Sequence, residues 1–245
     1  MSYIEFPELV KAVFCERPNR FVVKCKIQNE TMINKYNLDS NIVEAHLADP
    51  GRLSELLIEG RKLWLRYVDK KSRKTKWSTV LCKNPNSPSY VSLDSTLPNR
   101  LIAKALKSKE IDEFEDWDFV RSEYKKGGSR WDFLLKNRDE KMLLEVKSVT
   151  WAREGTGLFP DAVTARGKRH VEELTELNKE HGLKTGVLFV AQREDINSIR
   201  PAREIDVEFA DALQMADKKG VKLTGRKCEI SLEGIKLGRS IPIIL

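Results

Sequence analysis

Ser129-Arg-Trp-Asp-Phe-Leu-Leu-Lys136 and Lys141-Met-Leu-Leu-Glu-Val-Lys-Ser148 decide how this chain is read. Both segments alternate as strands do. Trp131, Phe133 and Leu135 interleave with Asp132 and Leu134, and Met142, Leu144 and Val146 interleave with Leu143, Glu145 and Lys147. The polar residues 137–140 between them fit a hairpin connection. A period of two puts Glu145 and Lys147 on one face of the second strand. Pairing of the strands lets Asp132 point to that face as well. Two carboxylates side by side repel each other, so the arrangement calls for a cation. Oxygen ligands with room for water suit Mg²⁺ or Mn²⁺. The Lys147 ammonium can then hold a water or steady a phosphate oxygen. Asp132, Glu145 and Lys147 are the candidate catalytic residues, with Asp132 and Glu145 as metal ligands. Glu123, one strand earlier, is a candidate third carboxylate or an outer partner, against the plainer reading of an exposed strand residue.

This Asp…Glu-x-Lys spacing resembles the signature of PD-(D/E)XK nucleases across residues 97–200. The surrounding order of helix, three strands, helix and strand agrees with it. Trp131 stands where that signature usually has Pro. The competing reading is a solvated polar face of a hairpin. The apolar run around both charges weighs against that reading.

At 245 residues the chain suffices for one large or two ordinary domains. No apolar run approaches the ~20 residues of a membrane helix. The first residues lack the order of a signal peptide. The sequence therefore reads as soluble and cytoplasmic, with no membrane partner. Cysteines at 15, 25, 82 and 228 form no Cys-x-x-Cys, and are read as small apolar residues. Residues 1–90 hold sixteen Lys/Arg against ten Asp/Glu, while the remainder holds 28 against 27. A basic module joined to a near-neutral one points to a polyanion partner for the first. DNA, single- or double-stranded and held mainly through its phosphates, is the expected partner. Homodimerisation is left open.

Short alternating runs at 20–27, 41–47, 61–68 and 74–83 predict a small OB-like β-barrel over residues 1–84. Asp49-Pro-Gly-Arg52 predicts a type II turn. Two prolines in 84–96 place the domain boundary there, and residues 85–245 form the nuclease-like α/β domain, a mixed sheet flanked by helices. Helices are predicted over 99–109, 162–181 with Asp161 as N-cap, and 201–219, with Trp151–Leu158 left irregular.

The loop Lys70-Lys-Ser-Arg-Lys-Thr-Lys76 can track a phosphate backbone through Lys71, Arg73, Lys74 and Lys76, with Trp77 or Tyr67 stacking a base. The alternative is a solvated hairpin tip. Arg17, Arg20 and Arg52 flank Pro and Gly turns, where binding residues collect, although structural pairing is an equal alternative. Arg166 lies in the first turn of the helix after the Glu145 strand, where a phosphate gains from both dipole and cations. His170 in the same helix is read as packed or hydrogen-bonded rather than as a ligand.

Five segments together resemble one family: Arg17-Pro-Asn-Arg-Phe21, His46-Leu-Ala-Asp-Pro-Gly-Arg-Leu53, Glu145-Val-Lys-Ser-Val-Thr150, Phe159-Pro-Asp-Ala-Val-Thr-Ala-Arg-Gly-Lys-Arg-His170 and Ser198-Ile-Arg-Pro-Ala-Arg203. The family is that of sugar fermentation stimulation protein A. The turn at 48–51 departs from it, with Ala-Asp-Pro-Gly in place of the common Pro-Asn-Thr-Gly. The resemblance implies an OB-like domain followed by a nuclease-like domain, DNA binding, and a regulatory link to sugar catabolism. A non-catalytic DNA-binding regulator that uses the nuclease fold as a scaffold is the alternative to an enzyme.

Overall fold

The computed structural model describes residues 2–245. In chain order its first elements are β1 (Tyr3–Glu5), β2 (Leu9–Asn19), β3 (Val22–Ile27), α1 (Glu30–Lys35), β4 (Ile42–His46), β5 (Lys62–Tyr67), β6 (Trp77–Lys83) and β7 (Tyr90–Ser92). There follow α2 (Leu97–Lys107), β8 (Asp118–Lys126), β9 (Ser129–Asn137), β10 (Glu140–Val149), β11 (Trp151–Arg153) and β12 (Thr156–Phe159). The last are α3 (Ala165–Leu177), β13 (Leu183–Ala191), β14 (Ser198–Pro201), α4 (Val207–Lys218), β15 (Lys222–Ile230) and β16 (Gly234–Ile241).

Alternation in the N-terminal strands closes a barrel. Val10, Ala12 and Phe14 of β2, Val23, Cys25 and Ile27 of β3, and Leu63 and Leu65 of β5 share one buried core. The strand order is β4-β3-β2-β5-β6, and β4 meets β6 in parallel at Ala45↔Trp77 and His46↔Ser78. Closure of this five-stranded OB barrel removes its open edges. β6 is buried along nearly its whole length because it is covered twice. Its inner face meets the barrel core, while Val80 and Leu81, with Trp64 of β5, enter the core of the second domain.

The second domain is a mixed sheet, ordered β1-β16-β15-β13-β10-β9-β8, with β10, β13 and β15 mutually parallel. Strand β13 is buried on both faces, as its unbroken apolar run requires. α2 packs on one face, and α3 and α4 on the other. The PD-(D/E)XK-like layering is therefore present. No helix among the described residues is long and apolar enough to cross a membrane.

Several expectations are corrected. Tyr3–Glu5 pairs with β16, so the chain starts in the second domain, not in the barrel. Tyr90–Ser92 pairs with β6, so the barrel sheet extends past the expected boundary at residue 84. Strands of three residues carry too little alternation to be read. Trp151–Leu158 is not irregular: β11 and β12 form a hairpin, and β12 pairs in parallel with β14. Its Glu154-Gly155 turn, with both residues at positive φ, obscured the pattern. α3 begins at Ala165, capped by the Thr164 side chain, which accepts from Gly167 N. Asp161 instead faces the barrel and accepts from Leu53 N at 3.3 Å. Val163, inside the range expected to be helical, precedes α3 and is exposed. α4 begins at Val207 with Asp206 as N-cap, after Pro201 has ended β14. The 49–52 turn is not type II. Gly51 lacks a positive φ, and its N–H donates to Asp49 Oδ1 at 2.8 Å. A Cβ on residue 51 would overlap the Asp161 carboxylate, so a larger residue there would displace that side chain.

Arg193 bolts the domains together. Its side chain is fully buried. It donates to Glu55 Oε1 of the barrel at 2.9 Å, to Thr150 O at 2.7 Å, and in bidentate fashion to Asp195 at 2.7 and 2.9 Å. Glu55 also accepts from Ala152 N at 3.2 Å.

Candidate active site

The β9–β10 ladder runs from the two-residue turn at Arg138-Asp139 to Leu144↔Phe133 and then stops. Asp132 is the residue at which it parts. Trp131 packs into the core on the α3 side, whereas Phe133 packs into the core on the α2 side. The strand therefore rolls over at Asp132. The Asp132 carboxylate replaces the missing ladder partner, with Oδ2 accepting from Val146 N at 2.7 Å. Oδ1 accepts from Asn99 Nδ2 of α2 at 2.6 Å. Burial first, and then the charge of Glu145, push the Asp132 carboxyl up to about 6. The two hydrogen bonds and Lys147 offset only part of that.

Glu145 is 6% exposed. One of its oxygens, Oε1, lies 2.7 Å from Lys147 Nζ and 2.9 Å from His170 Nδ1. Burial opposes ionisation of Glu145, but the bond from His170 and the Lys147 ammonium outweigh it and hold the carboxyl below its usual value. Arg166 Nε, which can only donate, lies 3.4 Å from His170 Nε2. A neutral imidazole that accepts there carries its ring proton on Nδ1, facing Glu145. His170 is buried, with its ring 5.4 Å from that of Trp131.

The donor set fits a hard cation. Two neighbouring carboxylates, one resisting ionisation because it is buried beside the charge of the other, favour added positive charge. Among the described residues no three His, Cys, Asp or Glu side chains are grouped to hold a metal, so waters or phosphate oxygens would complete the coordination.

Lys147 opens into a cleft of about 560 Å³ that the two domains share. Arg166 lines it from α3, Arg20 and Asp49 from the barrel, and Asp161 from the loop between β12 and α3. Burial, with the Asp161 charge adding to it, pushes the Asp49 carboxyl up to about 6 despite its bond from Gly51. A second groove, of about 550 Å³, is lined by Phe21, Ala48, Arg73, Lys74, Asp94 and Thr96. Residues adjacent in sequence line the two hollows: Arg20 with Phe21, Asp49 with Ala48, and Ser95 with Asp94 and Thr96. The basic groove and the cleft thus flank the same three segments of chain.

The other expected binding residues divide. Lys71, Lys74, Lys76, Arg20, Arg52 and Arg166 are exposed. Arg73 is half-buried, bonded to Ser78 Oγ at 2.8 Å. Arg17 is a structural clamp, its guanidinium giving 2.8 Å bonds to the carbonyls of Gly51, Arg52 and Arg20. Glu123 is the exposed strand residue of the plainer reading, at φ 60 and paired with Arg130 at 2.6 Å. Trp77 cannot stack a base, being 3% exposed in the barrel core. Tyr67 packs against it and against Tyr36, with ring centroids at 5.1 and 4.6 Å. Asn99 is an ordinary polar helix residue in sequence, and only the packing of α2 on the sheet brings it to Asp132.

The SfsA N-terminal OB domain matches residues 15–93, and the sugar fermentation stimulation protein RE domain matches residues 96–234. A sugar fermentation stimulation protein homolog of Shouchella clausii is 41% identical over 242 residues, covering 99% of this chain and 100% of that protein. One from Acetivibrio thermocellus is 37% identical over 241 residues, covering 97% of both. The structure of Pyrococcus furiosus SfsA in complex with Ca²⁺ superposes with a TM-score of 0.86 at 22% identity, covering 100% of both chains. Two domain matches in the order of the two folded units, and relatives aligned from end to end, establish that the chain belongs to the sugar fermentation stimulation protein (SfsA) family.

Proposed function

We propose that this protein binds DNA and cleaves its phosphodiesters at a site that uses Mg²⁺ or Mn²⁺. The observation that carries the reading is the meeting of Asp132, Glu145 and Lys147, with Lys147 lining a cleft that also presents Arg20 and Arg166. Asp132 and Glu145 would hold the ion. When bound, such an ion lowers the pKa of a coordinated water and offsets charge on the phosphate. The Ca²⁺ in the Pyrococcus furiosus protein supports a hard-cation site in this fold.

The rest of the chemistry belongs to the chain. Asn99 and Val146 N fix the Asp132 carboxylate, and His170 fixes Glu145, so neither has to reorganise when a ligand arrives. Lys147 orients a water or neutralises a phosphate oxygen. Arg166 and Arg20 hold flanking phosphates. The exposed lysines at 71, 74 and 76 add sequence-independent attraction.

A second reading, a non-catalytic DNA-binding regulator of sugar catabolism, draws support from one observation. Glu145 Oε1 is already shared by Lys147 and His170, as in a closed structural network. A cleavage assay with purified protein across a series of divalent ions separates the two. Turnover that needs Mg²⁺ or Mn²⁺ and is lost in Glu145→Ala supports the enzyme. Equal turnover by Glu145→Ala removes it.

A further inference from the structure

We propose that Phe21 is a stacking platform for an unpaired base, so that the strand led to Lys147 is single-stranded nucleic acid. This rests on the nucleic-acid reading above and adds the substrate class.

The geometry begins with the β2–β3 hairpin. Asn19 pairs with Val22, leaving Arg20-Phe21 as a two-residue tip. The backbone of that tip is held from three sides. Arg17 Nη2 donates to Arg20 O at 2.8 Å, Phe21 N donates to Asn19 Oδ1 at 2.9 Å, and Leu47 N donates to Phe21 O at 2.8 Å. Arg17 also bonds the carbonyls of Gly51 and Arg52, which ties the tip to the neighbouring turn. On this fixed backbone the Phe21 side chain is 47% exposed, with the Arg20 guanidinium 5.9 Å from its ring centroid. A large apolar ring on a rigid turn is preorganised for a ligand, because little freedom remains to be lost.

Its position supplies the ligand. Phe21 lines the groove that holds Arg73 and Lys74, while Arg20 lines the cleft that holds Lys147 and Arg166. A base on Phe21 therefore sits at the hairpin tip that separates groove and cleft, with cations on both sides for the adjoining phosphates. The barrel's Tyr36, Tyr67 and Trp77 are packed against one another and leave this role to Phe21. Every base has a π-face, so stacking is tolerant of sequence. In a duplex those faces are already covered by neighbouring bases, so the platform selects unpaired strands.

The test measures fluorescence anisotropy, in metal-free buffer, of a labelled oligothymidylate of about 12 nucleotides, within the site size of one OB fold. A blunt duplex of equal length serves as the second probe. Phe21→Ala should weaken oligothymidylate binding about 5- to 150-fold, the range that loss of one stacked base implies. It should leave the salt slope unchanged, because no phosphate contact is lost. Duplex binding should not change, and Phe21→Trp should bind oligothymidylate as the unsubstituted protein does. If Phe21→Ala also lowers the melting temperature, Phe21→Leu, which keeps the apolar contact, must show the same loss of binding. Unaltered oligothymidylate binding by Phe21→Ala, or an equal loss on duplex, overturns the stacking role and leaves the nucleic-acid reading standing. Failure of the unsubstituted protein to bind either probe overturns both.

Discussion

The imidazole of His170 reaches out of α3 and places Nδ1 2.9 Å from Oε1 of Glu145 on β10. A buried carboxylate is thereby held by a helix as well as by its own strand neighbour Lys147. Replacing His170 with Ala removes a partner from a group that is 6% exposed. Stability should fall by about 1–3 kcal/mol, and metal-supported activity by about 10- to 100-fold. Denaturant unfolding together with a Mn²⁺ titration of cleavage checks both. A variant with a lowered midpoint but unchanged activity would show that His170 merely packs.

Lys147→Ala should reduce cleavage about 10²- to 10³-fold, the cost of deleting one charged donor at a reacting phosphate. Chelation of divalent ions should abolish activity in the unsubstituted protein and leave DNA affinity in place. Asp132→Ala should bind DNA in metal-free buffer as well as the unsubstituted protein does, or better, since a negative charge facing phosphate is gone. Loss of binding on chelation would contradict this separation.

The Asp49 carboxyl, pushed up to about 6 by burial, gives stability a definite pH dependence. Above its unfolded pKa near 3.8 and below about 6, the folded protein keeps a proton that the unfolded chain has released. Protonation therefore contributes stability at low pH, and that contribution is lost as pH rises through the folded pKa. Asp49→Asn can still accept from Gly51 N, and it should gain up to about 3 kcal/mol at neutral pH. The gain should vanish near about pH 4. Urea midpoints at the two pH values decide the matter, and an equal effect at both would refute the linkage.

Charge reversal at Lys71, Lys74 and Lys76 should weaken DNA binding uniformly across sequences. Each lost contact should flatten the log–log salt dependence by ~0.9 on duplex or ~0.7 on single strands. An unchanged slope would mean that the loop is only solvated, and would move the binding surface to Arg20 and Arg166.

Arg193→Ala should cost about 3–5 kcal/mol, because Glu55 and Asp195 are left partly buried without their cation. Calorimetry of the full chain should also show whether barrel and sheet still melt together. A single undisturbed transition would remove the bolt role.

Part of this was legible in sequence and part was not, for physical reasons. The period of two alone set Glu145 beside Lys147, and the apolar stripe around Asp132 marked its strand. The same reasoning failed at Trp77 because an aromatic next to a basic loop looks the same whether it faces solvent or a barrel interior. It failed at Asp161 because Thr164 competes for the same cap three residues later and wins, freeing Asp161 to meet Leu53 N. Asn99 and Arg193 carry no local pattern at all. Each is defined by a partner that folding brings from 33 residues away in one case and 138 in the other.

The first strand, Tyr3–Glu5, is hydrogen-bonded to the far edge of the sheet that carries the site. The barrel is consequently an insertion, leashed to that sheet at its entry and again at its exit. A body held by one linker can turn in any direction, whereas one held at two separated points can turn only about the axis through them. Any opening of the shared cleft is confined to that axis and has to break the buried Arg193 bonds to Glu55 and Thr150. A cut at residue 84 would part Tyr3–Glu5 from β16 and Tyr90–Ser92 from β6.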